Sequence, residues 1–62
     1  MNLLRRIESH LRRSGVTATR FGRDAVRDPR FVFDLRNGRE PGSAVVSRVS
    51  AYIEERDRRL GQ

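Results

Sequence analysis

Asn37-Gly38 follows an alternating run, Phe31, Phe33 and Leu35, which is how a hairpin turn looks in sequence. Three residues later comes Pro41-Gly42, where the returning strand would have to lie. Proline has no N–H to give to a strand ladder, so the hairpin fails. The same stretch also carries a helical period. Phe31, Val32 and Leu35 share one face, Asp28 can cap, Pro29 can take the first helical position and Gly38 can end the element. The next apolar residues, from Val45 on, keep helical spacing too. This stretch is therefore expected to be a helix.

With 62 residues and no cysteine, the chain must bury one small core in one domain without a disulfide or a thiolate metal site. Leu3, Leu4, Ile7 and Leu11 mark the apolar face of a first helix, and Gly15 supplies a left-handed stop. Thr17 can cap a second helix whose inner face is Phe21, Gly22, Ala25 and Val26. Gly22 costs about 1 kcal/mol against alanine inside a helix. Either it lets a neighbouring helix cross almost backbone to backbone, or it marks a break. Ser43 can cap a last helix with Val45, Val46, Val49, Tyr52 and Ile53 inward, leading into a polar tail that is expected to fray. The expectation is an all-α, compact four-helix domain covering 1–62, with helices at about 2–13, 18–26, 29–37 and 43–59. The second and third are joined by a very short turn.

Charge narrows the class of partner. Fourteen arginines, no lysine and eight acids give a formal +6. Codon bias would account for the missing lysine but not for the excess of positive charge. A small basic domain points first to nucleic acid, then to an anionic membrane or an acidic protein. The apolar residues of the first thirteen positions are spaced rather than continuous. That spacing argues against a signal peptide or a membrane span and makes the cytoplasm the default location.

Two helices on a tight turn, the second bearing arginines, have the layout of a helix-turn-helix. Over Leu11 to Ile53 the chain resembles the Cro and phage-repressor-like (XRE-type) helix-turn-helix regulators, with their lambda-repressor-like fold. Leu11-Arg12-Arg13-Ser14-Gly15-Val16-Thr17 is similar to the family's passage from helix one through Gly to a capping Ser or Thr. Phe21-Gly22 falls where the family has a large apolar residue followed by Ala or Gly. Val32 and Leu35 fall on the core positions of its recognition helix, and Val46, Val49 and Ile53 on the inner face of its fourth helix. Asn37-Gly38-Arg39-Glu40-Pro41 resembles its "Asn-Gly-Lys/Arg-x-x-Pro" exit, with one residue of slack. The family usually has glycine in the turn that Val26-Arg27 fills here. One of the two, Arg27 before Val26, must take an unusual backbone conformation, or the turn must be rebuilt. The family's fifth helix is missing here or merged into the tail.

The resemblance implies a sequence-specific regulator of transcription, of the phage or mobile-element repressor kind, that inserts residues 28–37 into the major groove of double-stranded DNA. Arg30 is the leading base reader, its fork matching guanine O6 and N7, unless it merely pairs with Asp34. Asp34 would accept from cytosine N4 or orient Arg30. Phe33 would meet a thymine methyl or another protein, or be partly covered by the fourth helix. Phosphates would be held by Arg39 and Asn37 after the third helix, and by Thr17, Thr19 and Arg20 at the start of the second, with Arg23 and Arg27 as weaker candidates. Arg23 could instead pair with Asp24 or Asp28. Arg5, Arg6, Arg12, Arg13, Arg56, Arg58 and Arg59 read as solvated faces. A homodimer, needed for a palindromic site, would use the last helix through Tyr52, Ile53 or Leu60, although the core competes for those side chains.

No metal-ligand spacing, phosphate loop or nucleophile arrangement is visible. His10 is the one histidine, read as surface or rim, with no acid or hydroxyl at a meaningful spacing. No catalysis, cofactor, metal or small-molecule substrate is expected. The competing expectation is a protein-interaction module that keeps the helix-turn-helix scaffold and docks another regulator, a polymerase subunit or a toxin. Pro29, Phe31 and Phe33 favour it, because base-reading helices are more often polar.

Overall fold

The computed structural model describes residues 2–61, so the two end residues of the expected 1–62 domain lie outside it. The described residues form four helices: α1 Leu3–Ser14, α2 Ala18–Val26, α3 Phe31–Arg36 and α4 Ser43–Leu60. The protein is an all-α domain.

Each boundary has a local cause. Asn2 caps α1, its Oδ1 accepting the Leu4 N–H at 2.8 Å, and Gly15 closes it at φ 73° with its N–H on the Leu11 carbonyl. The Thr17 hydroxyl accepts the Arg20 N–H at 3.1 Å and so begins α2. After α3, Gly38 lies at φ 97°. Its N–H reaches Leu35 and the Arg39 N–H reaches the Asp34 carbonyl, which is the Schellman pair of bonds.

Three boundaries differ from those expected. α3 begins at Phe31 rather than Pro29. Asp28 does accept a backbone N–H, that of Arg30 at 3.0 Å, but its carbonyl also takes the Phe31 N–H at 3.1 Å. Residues 28–31 are thereby closed as a tight turn, and the helical register starts with the Asp34 N–H on the Arg30 carbonyl. At α4 the cap position falls on Gly42, with extended backbone and no side chain, so Ser43 is already inside the helix and caps nothing. The polar tail does not fray within the described residues: α4 continues to Leu60.

Ile7, Phe21, Ala25, Phe31, Val32, Leu35, Val49 and Ile53 make the core. Phe31 belongs to it, so it is not an outward feature of α3. Phe21 is the pin. It is fully buried, edge-on to Tyr52 with ring centroids 5.5 Å apart, and tilted against His10 at 5.6 Å. The packing forms a ring in which α2 meets α3 and α4, and α1 meets α4 and α3. Contacts along the α1–α4 seam rise together in both helices. Arg6 reaches Ser50 at 3.0 Å and Glu54 at 3.8 Å, while His10 and Arg13 reach Asp57 at 2.7 and 2.5 Å. The two helices therefore run parallel. These partners also correct the reading of Arg6 and Arg13 as merely solvated.

His10 is the largest departure from expectation in this part of the molecule. It is 2% exposed and its Nδ1 lies 2.7 Å from Asp57 Oδ1, so it is a buried joint between α1 and α4 rather than a surface residue. The Leu3, Ile7, His10, Ser14 spacing carried that signal. Burial pushes the Asp57 carboxyl up, but hydrogen bonds from His10 and Arg13, and their charges, outweigh it and hold the group below its ordinary value. No helix among the described residues is long and apolar enough to cross a membrane.

Candidate nucleic-acid interface

Gly22 sets the geometry from which everything around α3 follows. A Cβ there would run into the Asp28 backbone carbonyl and lie 3.2 Å from Phe31 Cβ. The Gly22 carbonyl in turn accepts the Asp28 N–H at 3.1 Å. The glycine is thus a point of close approach, where the chain entering α3 presses onto the backbone of α2. Arg27 makes the reversal by adopting the left-handed conformation, φ 58° and ψ 34°, with its N–H on the Arg23 carbonyl. Of the two residues in the turn, Arg27 is thus the one with the unusual backbone conformation.

With Phe31, Val32 and Leu35 turned inward, α3 leaves Arg30, Phe33, Arg36 and Asn37 exposed and Asp34 half-buried. Arg30 sits at the head of the helix, and its guanidinium has no hydrogen bond or ion pair among the described residues. The expected Arg30–Asp34 pair does not form. Asp34 is held by Arg39 at 3.0 Å, and Arg39 also reaches Asp28 at 3.5 Å. Asp34 therefore does not orient Arg30, and Arg39 bridges two carboxylates rather than extending freely toward a phosphate.

Phe33 is 42% exposed, and the Arg36 guanidinium lies over its ring, 5.4 Å from the centroid. Arg36 is fixed from its other side by a bidentate pair with Glu8 of α1, both bonds 2.8 Å long. The hydrogen bond from Arg36 holds the Glu8 carboxyl below its ordinary value. Burial opposes this and the charges of Arg36 and Arg12 assist it. The same pair raises the Arg36 pKa. Nothing in the sequence near Arg36 announced a partner 28 residues away.

The remaining candidates divide into two groups. Thr17, Thr19 and Arg20 stand exposed at the start of α2, with the Thr17 hydroxyl used as the cap and Arg20 loosely paired with Asp24 at 3.4 Å. Arg23, about one turn past Arg20, and Arg27, at the C-terminal cap of α2, are exposed as well. Neither has an ion-pair partner among the described residues. The acids proposed for Arg23 are both engaged elsewhere, Asp24 by Arg20 and Asp28 by Arg39. Arg23, Arg27 and Arg30 thus stand unpaired around one turn. Arg5, Arg12 and Arg48, exposed on α1 and α4, also lack a direct ion pair among the described residues.

The C-terminal helix offers less dimer surface than expected. Ile53 is in the core, and Tyr52 is half-buried, with Arg56 over its ring at 5.2 Å. Leu60 alone of the three is an exposed large apolar residue, at 53%. No group of three or more His, Cys, Asp or Glu among the described residues is placed to hold a metal ion.

Comparison with protein-family models, with curated proteins and with solved structures gave no match.

Proposed function

We propose that the protein is a sequence-specific double-stranded DNA-binding regulator of transcription, with α3 laid in the major groove, as its resemblance to phage-repressor-like regulators implies. The observation that carries this is Arg30. It is exposed at the head of α3 and unpaired, while Asp34, its natural partner one turn on, is bound to Arg39. A guanidinium kept free in this way can make two bonds to guanine O6 and N7, worth about 1–3 kcal/mol of discrimination. Unpaired Arg23 and Arg27 flank it and suit the adjoining phosphates, which position a duplex without reading it.

Phe33 favours a second reading, in which the same face docks a protein. An aromatic ring 42% exposed and topped by an arginine is the kind of anchor that partners bury. The Glu8–Arg36 and Asp34–Arg39 pairs also reduce the free positive charge of this face.

Duplex binding measured across a salt series separates the two. Counterion release from about four phosphates gives a log–log slope near −3.6. No binding to duplex DNA, even in low salt, would reject the first reading and support the second. Arg30→Ala is the sharper probe: loss of discrimination at one or two base pairs supports base reading. A uniform weakening across sequences would reduce Arg30 to a backbone contact.

A further inference from the structure

We infer that Arg27 is a phosphate grip, an arginine whose charge is retained at a backbone position that suits glycine better. The inference rests on the DNA-binding reading and adds a residue-level reason for the composition of the turn. Arg27 is the one non-glycine residue with positive φ among the described residues. In that conformation Cβ crowds the following carbonyl oxygen, a strain that glycine escapes. The other two left-handed caps of the fold, at φ 73° and 97°, are indeed glycines, Gly15 and Gly38.

No contact among the described residues requires arginine at this point. The bond that closes α2 comes from the Arg27 backbone N–H, which any residue but proline would supply. The side chain is exposed and makes no hydrogen bond, ion pair or ring contact among the described residues. Both acids near the turn are committed to other arginines, Asp24 to Arg20 and Asp28 to Arg39. A cation is favoured at a helix C-terminus, but at an exposed end that effect is small and screened by salt. A strained residue without an internal contact points to an external one. Arg23, four residues earlier, and Arg30, three later, are unpaired as well, so the ligand that fits is a polyanion with several phosphates in reach. Because phosphate contacts carry no sequence information, Arg27 should contribute equally on every duplex.

The test compares the full chain with Arg27→Gly and Arg27→Asn. Thermal melting is followed by circular dichroism, and binding by fluorescence anisotropy on short labelled duplexes of several sequences across a salt series. Relief of the strain raises the Tm of Arg27→Gly by about 4–8 °C. Loss of one phosphate contact flattens the log–log salt slope by about 0.9, alike for every duplex. Arg27→Asn, which tolerates the left-handed region, flattens the slope by the same amount and keeps the binding test independent of the glycine variant's folding. A higher Tm with unchanged affinity and slope, while Arg30→Ala still weakens binding, overturns the role of Arg27 and leaves the DNA reading standing. A lowered Tm in the glycine variant overturns the premise of strain. Absence of duplex binding by the unaltered chain overturns this inference together with the reading beneath it.

Discussion

Replacing Gly22 by alanine sets two effects of opposite sign against each other at one position. Alanine is the better helix former by about 1 kcal/mol, and Gly22 lies in the middle of α2, so propensity alone makes Gly22→Ala stabilising. The added methyl, however, meets the Asp28 backbone carbonyl well inside contact distance, and Phe31 Cβ at 3.2 Å. A flexible side chain could move aside, but a carbonyl fixed by its neighbours cannot. Asp28 is bonded through its own N–H to the Gly22 carbonyl and through its C=O to the Phe31 N–H, so moving it opens both bonds and the turn into α3. Overpacking of this kind costs about 1–3 kcal/mol, and each bond lost adds about 1 kcal/mol. Clash and lost bonds together exceed the gain in propensity, leaving a net loss of about 2–4 kcal/mol. In a domain of this size that lowers Tm by roughly 4–8 °C per kcal/mol, readable in a thermal melt at 222 nm. Equal or greater stability of Gly22→Ala would refute the close approach of α2 and the α3 turn. With it would go the argument for how Arg30 and Phe33 are presented.

Ile53 and Leu60, both candidates for a dimer surface by sequence, should behave oppositely in denaturant. Ile53→Ala removes core packing at a cost of about 2–5 kcal/mol, whereas Leu60→Ala, at an exposed site, stays within about 0.5 kcal/mol; similar midpoints for the two variants would contradict the packing of α4. Asp57 ties α1 to α4, and Asp57→Ala leaves the buried His10 Nδ1 without its partner, for a loss of about 1–3 kcal/mol at neutral pH. Because the folded carboxyl lies below its ordinary value, its contribution is complete above that value and disappears as pH falls through the folded one. The gap between the two proteins should therefore narrow below about pH 4. Melts with the same gap at pH 7 and pH 3 would contradict this.

Where the sequence could be read, a residue's local neighbours decided its conformation. Thr17 and Gly15 announced the end of α1 and the start of α2 because cap and stop act within one turn of chain. Arg27 could be named as the strained position only through the family resemblance, which implies glycine in the turn where Val26-Arg27 stands. The start of α3 misled because Asp28-Pro29 satisfies a helix cap and a tight turn equally well, and contact with Gly22 selects the turn. Ser43 misled for a similar reason, since either it or Gly42 could hold the cap position. Of the candidate site, the exposure of Arg30 and Phe33 followed from the helical face of Val32 and Leu35. The partners of Arg36, Asp34 and His10 did not. Glu8–Arg36 and His10–Asp57 join residues 28 and 47 apart, and only assembled helices bring them together. Arg39 and Asp34 lie five apart, yet they meet because Gly38 reverses the chain between them.

The parallel course of α1 and α4 decides how this small body would carry tension. Its two described ends emerge at opposite poles of the seam, Asn2 beside the beginning of α4 and Gly61 beyond the last turn of α1. A pull on both ends would slide the helices past each other lengthwise instead of peeling them apart. The links from Arg6, His10 and Arg13 to Ser50 and Asp57 would then be stretched at once rather than in succession. Had the two helices run in opposite directions, the same pull would have opened the links one by one.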